Sequence, residues 1–276
     1  MSKKAYAEMS AATLLYGLTF PLTAIVLRDM GPLYLSSIRS FWPFIFFILY
    51  FLKRGYPENP NYALLLSISL FGLVLPLVLQ NVGMLYTTAS LASIIQSTAP
   101  IFVVFLAFFL LKEKLTLPKI LGVLIGIAGI VVVVGVEEGS MLLGNILITC
   151  AAISLALLAI FEKIALSKHT PVEILGITSI MGFPILLTLL PFESLPSFTT
   201  SSVILTIILS LGCTVLPYFL WLDGLKNLEV SRAIVFSYGI PAFGILFSIA
   251  LLNETVTLRM IAGMAVIFFS IWISQK

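Results

Sequence analysis

Charge is scarce in this chain. Of its 276 residues only 10% are charged and 60% are hydrophobic, with a mean hydropathy of +1.16. A soluble domain carries about 25% charged residues, so a water-facing surface is excluded for most of the chain and lipid is the implied solvent. Cysteine is almost absent. Cys150 and Cys213 both fall in apolar stretches and read as small packing residues, which excludes a disulfide scaffold and a thiolate metal pair. The single histidine, His169, lies in a connection without partners that suggest chemistry. No phosphate-cradling Gly-rich loop with its Lys is present, which argues against ATP-driven work by this chain alone. Long polar segments are missing too, leaving no room for a soluble domain or a nucleic-acid-binding face. No metal and no cofactor are expected.

What is present is a series of apolar runs. A membrane-spanning helix needs about 20 such residues, and the runs fall near 5–27, 32–52, 62–82, 89–111, 117–136, 141–162, 171–190, 202–222, 230–252 and 258–274. That predicts ten spans. Lys3 and Lys4 precede the first, as in a signal peptide, but the run is long for one and lacks a clear small-residue cleavage site. It reads as an uncleaved first span.

Residues 76–122 recur at an offset of 141. Pro76, Gly83, Ser90, Ala92, Pro100, Phe102, Glu113, Thr116 and Gly122 return as Pro217, Gly224, Ser231, Ala233, Pro241, Phe243, Glu254, Thr257 and Gly263. Leucines alone would match by chance in so apolar a sequence, whereas prolines, glycines and a glutamate in register do not. The chain therefore divides into residues 1–138 and 139–276, each a five-span repeat. Five is odd, so the second copy enters the bilayer from the opposite side. Inverted repeats of this kind are a transporter architecture, with the substrate site near mid-depth between the halves. The predicted fold class is all-α integral membrane, with ten transmembrane helices in two inverted five-helix repeats.

Basic residues set the orientation, because Lys and Arg accumulate on the cytoplasmic side. With the N-terminus inside, that side holds twelve: Lys3, Lys4, Lys53, Arg54, Lys112, Lys114, Lys119, Lys163, Lys168, Lys226, Arg232 and Lys276. The outer side holds two, Arg28 and Arg259, and Arg39 lies within a span. Both termini are expected in the cytoplasm, and the membrane is expected to be the plasma (inner) membrane.

Ten spans in two halves, with Pro in the fourth span followed by Glu-x-x-Thr and a Gly-bearing fifth span, resemble the drug/metabolite transporter superfamily, in particular its EamA-like ten-helix members. The resemblance rests on Ala89–Gly122 and Val230–Gly263, with Tyr16–Gly17–Leu18–Thr19–Phe20 and Arg39 also fitting. It implies alternating access around a cavity walled by the first, third, fourth, sixth, eighth and ninth spans. It implies little about substrate, since such proteins move amino acids, nucleosides, nucleotide sugars and other metabolites. One departure stands out. Four-helix small multidrug resistance relatives couple to protons through a Glu a few residues before a Gly in the first span, and here Leu14 stands near that place. Glu8 is about a turn and a half too early and is expected at the interface.

Several polar residues lie in the spans. Arg39 stands about seven residues from the outer end of its helix, on the order of 10 Å down. Its guanidinium either attracts a substrate carboxylate or phosphate or gates the outer mouth, or else it snorkels outward or satisfies neighbouring carbonyls. Gln80, Asn81, Gln96 and Ser97 need partners in lipid, and so face other helices or a wet cavity. Their counterparts at the 141 offset are Trp221, Leu222, Ser237 and Tyr238, amide-rich in one half and aromatic in the other. Tyr16, Thr19, Tyr218 and Trp221 would add rings and a hydroxyl, with an interfacial aromatic belt as the alternative, above all for Trp221. Pro76, Pro100, Pro217 and Pro241 interrupt helical bonding and are candidate hinges. Gly122, Gly126 and Gly129 offer a close-packing face in the fifth span, and Glu113 and Glu254 read as helix caps.

The sequence reading is a secondary transporter for a small polar or amphipathic metabolite, with export of an amino acid or related compound as the leading case on resemblance. Uptake or exchange of a nucleoside, nucleobase or other organic metabolite is the alternative. The partners expected are a small-molecule substrate and the lipid bilayer, with no nucleic acid, and the carrier acts as a monomer or homodimer. An enzyme would need intramembrane carboxylates, His or Cys at working spacing, and a channel a continuous polar stripe or charged ring; neither is found. Glu8, Glu162, Glu173 and Asp223 all fall near span ends, so transport is expected not to depend on a carboxylate within the bilayer.

Overall fold

The structure, a computed structural model, describes residues 3–57, 60–111, 116–134, 140–227, 236 and 239–274. Those residues are helical with short connections. Seven stretches are long and apolar enough to cross a membrane: Lys4–Val26, Pro32–Arg54, Tyr62–Gly83, Ala89–Leu110, Met141–Glu162, Pro171–Phe192 and Thr200–Trp221. Three shorter apolar helices, Ile120–Val133, Gly239–Leu252 and Leu258–Ser270, occupy the fifth, ninth and tenth places.

The helices are α1 (Lys3–Val26), α2 (Pro32–Arg54), α3 (Tyr62–Ser69), α4 (Leu75–Gly83), α5 (Ala89–Gln96), α6 (Ala99–Leu111), α7 (Leu117–Val134), α8 (Ser140–Ala165), α9 (Pro171–Leu187), α10 (Thr200–Ile207), α11 (Leu216–Asn227), α12 (Gly239–Leu252) and α13 (Leu258–Ser274). The third, fourth and eighth spans are each built of two helices, and in each a proline marks the junction. In the third span the π-helical segment Leu70–Val74 precedes Pro76, and in the eighth the π segment Ile208–Val215 precedes Pro217. A proline ring clashes with the carbonyl four residues back, and a π turn relieves this by carrying the hydrogen bond to the fifth residue back. The same bond appears in both halves: Leu75 N–H to the Leu70 carbonyl and Leu216 N–H to the Leu211 carbonyl. Those pairs are 141 residues apart. In the fourth span the helix breaks outright between Gln96 and Ala99, ahead of Pro100, and the Ser97 and Thr98 hydroxyls close the break on the Ile94 and Ile95 carbonyls at 2.6 Å each. Pro241 lies buried near the start of α12.

Packing between spans follows the repeat. The first span lies against the eighth and ninth, and the sixth lies in the same way against the third and fourth. The second packs on the seventh, and the fifth on the tenth. Exchanging each span for the one five places on leaves this set unchanged, which is what a two-fold relation between inverted halves requires.

The fifth and tenth spans meet at small residues. A Cβ on Gly263 would stand 2.3 Å from Val133 Cγ2, and one on Gly129 2.8 Å from Ile267 Cγ1. Gly126 serves a third neighbour as well, its missing Cβ leaving room for Ile101 of the fourth span. Without a hydrophobic force between helices in lipid, such close approach is how spans associate.

Two carboxylates tie the halves together on one face. Asn253, at φ 55°, ends α12 in the left-handed region that Asn tolerates. The following residue, Glu254, then accepts from the Ala89 and Ser90 N–H groups at 2.9 and 3.0 Å. Glu193 accepts from Leu33 and Tyr34 N–H at 3.0 and 2.8 Å, its carboxyl filling the space a Cβ on Gly31 would need. Both satisfy free N–H groups at helix starts, where negative charge is favoured. The expected capping role of Glu254 is thus present, although the helix it caps is α5 rather than the one that follows it in sequence. Glu113 lies outside the described residues.

Candidate functional site

A cavity of about 360 Å³ lies between the halves. The six spans expected around it all contribute, and the second and seventh join them through Arg39 and Pro43, and through Leu175, Thr178 and Ser179. The fifth and tenth spans, committed to each other, contribute none of its described lining.

Arg39 is the cation of this cavity. It is buried, 4% exposed, seven residues into α2. Its Nε donates to Thr214 Oγ1 at 2.7 Å and its Nη2 to the Cys213 carbonyl at 3.5 Å. That carbonyl is available because Pro217, four residues on, has no N–H to offer it; Thr19 Oγ1 donates to it as well, at 3.3 Å. Thr214 is held in turn by its own bond to the Leu209 carbonyl, five residues back in the π segment. The Arg39 backbone carbonyl receives Ser210 Oγ at 2.5 Å. The local chemistry of a proline-relieving π turn thus anchors one side of the guanidinium. Its Nη1 has no partner. Snorkelling, one of the readings open from sequence, does not describe this side chain.

Gln80 and Gln96 line the same cavity, and here too polar atoms are left over: Gln80 Nε2, an N–H donor, and Gln96 Oε1, an acceptor. A buried polar group without a partner costs on the order of 1–3 kcal/mol. Three residues that carry such atoms line one cavity, although the atoms themselves are covered here. Tyr16, Thr19, Ser97, Tyr218 and Trp221 complete the polar and aromatic wall, and Pro76 and Pro100 border it. Trp221 therefore belongs to the cavity and not only to an interfacial belt.

Asn81 is not part of the wall. It is 0% exposed and its Nδ2 donates to Ser36 Oγ at 2.9 Å. Consecutive helical residues point roughly 100° apart, so Gln80 faces the cavity while its neighbour ties the third span to the second. Pro217 and Pro241 likewise do not line the cavity. Ser237 and Tyr238 lie outside the described residues.

Glu162 was not anticipated here. It stands three residues before the end of α8, as its sequence position implies, yet its side chain lines the cavity and Oε1 accepts from the Tyr218 hydroxyl. Depth along its own helix hid it, because the neighbour that brings it in comes from the eighth span. Thr178, Ser179 and Thr214 carry no signal in the sequence, being hydroxyl residues of a kind that usually bond their own helix, as all three do. Glu8, by contrast, pairs with Lys4 at 3.1 Å, and Lys4 reaches Asp223 at 3.3 Å, away from the cavity lining.

Inverted halves around a central cavity with polar groups in its wall, and with helices broken at that wall, define a membrane transporter. The family model described as the EamA-like transporter family matches residues 4–135 and again residues 142–275, and the chain belongs to that family, within the drug/metabolite transporter superfamily. An uncharacterized transporter of Archaeoglobus fulgidus is 28% identical, the match covering 98% of each chain. A probable amino-acid metabolite efflux pump of Salmonella typhimurium is 25% identical over 99% of this chain and 95% of its own. One of Escherichia coli with the same description matches at the same identity and coverage. A crystal structure 18% identical in sequence superposes with a TM-score of 0.70 over 99% of this chain and 96% of the other, a likeness of fold.

Proposed function

We propose that this transporter is a secondary carrier that exports an amino acid or a related small metabolite across the plasma membrane by alternating access, with both chain termini in the cytoplasm. The observation that carries the reading is Arg39, a buried cation that lines a cavity between the two halves and whose Nη1 has no partner. A fixed cation kept out of water is costly, about 2.5–3.5 kcal/mol at mid-membrane on insertion scales, and an anionic group of a ligand offsets that cost. Gln80 and Gln96 supply further hydrogen bonds, and the apolar remainder of the wall suits a small organic body. A cavity of about 360 Å³ falls within the range of small-molecule sites. The excess of basic residues at one set of loops supports the cytoplasmic assignment of the termini, and the efflux-pump relatives support the direction.

The test is counterflow. Proteoliposomes preloaded with each proteinogenic amino acid in turn are expected to accumulate the labelled compound transiently, with saturation. Accumulation of a nucleoside panel instead, with none of the amino acids moving, would overturn the substrate reading. Linear, non-saturating flux would overturn the carrier reading.

A further inference from the structure

We infer that Glu162 and Tyr218 form a cation subsite, so that the cavity selects ligands carrying an ammonium group at one end and an anionic group, met by Arg39, at the other. This rests on the carrier reading and narrows its substrate to a zwitterion with an apolar body.

Glu162 and Arg39 are the acidic and basic side chains among the described cavity residues. Neither is neutralised by the other. Arg39 bonds to Thr214 and to the Cys213 carbonyl and leaves Nη1 free, while Glu162 is held by the uncharged Tyr218 hydroxyl. Among the described residues no Lys, Arg or His forms an ion pair with Glu162. Tyr16 lines the same cavity as both of them. Charges withdrawn from water are ordinarily paired. An acidic and a basic side chain lining one cavity, neither of them ion-paired, match a ligand bearing both signs, whose ammonium would hold the Glu162 carboxyl ionised.

A purely structural role fits Glu162 poorly. A carboxylate in the last turn of a helix opposes the helix dipole. Glu173, Glu193 and Glu254 all sit where backbone N–H groups receive them, and Glu162 does not. Holding Tyr218 needs an acceptor oxygen, which a neutral amide also provides. The charge itself is left to the ligand. Most of the remaining wall is apolar, with Phe20, Leu73, Leu77, Val103 and Leu158 among its residues.

The experiment compares three probes of one shape: L-phenylalanine, the cationic L-phenylalaninamide and the anionic 3-phenylpropionate. Ligand-induced thermal stabilisation of the purified protein is measured at about pH 6.5, where the amines are protonated, together with counterflow. A matching set is L-leucine, L-leucinamide and 4-methylpentanoate. The wild type is expected to bind at least one of the two zwitterions about tenfold or more tightly than either singly charged analogue. Glu162→Gln, which retains an acceptor for Tyr218, is expected to weaken that zwitterion by about tenfold or more, or roughly 1.4 kcal/mol, without weakening the anion. Arg39→Gln is expected to weaken the zwitterion and the anion without weakening the cation. Unchanged zwitterion affinity in Glu162→Gln overturns the inference and leaves the carrier reading standing. Equal loss of all three probes in a folded Glu162→Gln protein also overturns it. A wild type that neither binds nor moves either zwitterion overturns it as well, and counterflow with the wider amino acid panel then decides the carrier reading separately.

Discussion

Replacing Glu254 by alanine isolates the contribution of one side chain to the closure of one face. The substitution deletes two bonds, to Ala89 and Ser90 N–H, at 2.9 and 3.0 Å. Hydrogen bonds to a charged partner each contribute about 1.5–3 kcal/mol. These two share one carboxylate and are only partly buried, so water can replace some of what is lost, and the cost falls below the summed range of about 3–6 kcal/mol, to about 2–3 kcal/mol. The α5 start keeps a second cap, since Thr88 Oγ1 still accepts from Leu91 N–H at 3.2 Å, which limits the damage to fraying of one turn. A chain of this size loses about 2–4 °C of melting temperature per kcal/mol, so a fall of about 5–10 °C is expected. Cys213, buried and free, is a built-in reporter. In a Cys150→Ser background its reaction with a thiol-reactive fluorophore during heating in detergent follows unfolding. Glu254→Gln, which keeps an acceptor without the charge, should fall between wild type and Glu254→Ala. A melting temperature within about 1 °C of wild type for Glu254→Ala would refute the argument that this carboxylate holds the fourth span in place.

The remaining predictions concern the cavity, the interface and the topology. Thr214→Val removes the acceptor for Arg39 Nε while keeping its volume; transport should fall by about tenfold, the equivalent of one charge-assisted bond, and Thr214→Ser should restore much of it. Gly263→Leu forces side-chain atoms into the space of Val133 and should destabilise the fifth–tenth contact by about 1–3 kcal/mol, read as a lower melting temperature. In a Cys150→Ser, Cys213→Ser background, single cysteines at the exposed positions 168 and 255 should react with membrane-impermeant reagents from opposite sides of the membrane. Labelling of both from one side would break the inverted arrangement.

Much of the architecture was legible because membrane folding is governed by features that sequence displays directly. Apolar runs of fixed length gave the spans, and prolines and glycines in register gave the repeat, since few other residues substitute for a missing N–H or a missing Cβ. The cavity was legible where a polar side chain interrupts an apolar helix, as at Arg39, Gln80 and Gln96. It was not legible where rotation about a helix decides the matter. Gln80 and Asn81 look equivalent in sequence, yet one faces the cavity and the other bonds Ser36. Nor was it legible where a residue's surroundings come from another span, as with Glu162 and Tyr218. The Cys213 carbonyl, which holds both Thr19 and Arg39, carries no side-chain signature at all; only the proline four residues later hints that it is unclaimed.

The two π segments have a consequence for how this chain tolerates change. Each carries an extra residue per turn, and so resets the angular phase of the helix beyond it by roughly one residue, or about 100°. The wall residues Leu77, Gln80, Tyr218 and Trp221 all follow such a segment. Deleting a single leucine within Leu70–Val74 or Ile208–Val215 would let the span wind as a regular α-helix and would hardly alter its hydrophobicity or length. Because the lost residue and the lost extra turn position cancel, the side chains beyond keep their phase, and what changes is that Pro76 or Pro217 is brought back against a carbonyl. Inserting one apolar residue just after either segment, nearly invisible to composition, would by contrast turn those side chains by about 100° and is expected to be more damaging than the deletion.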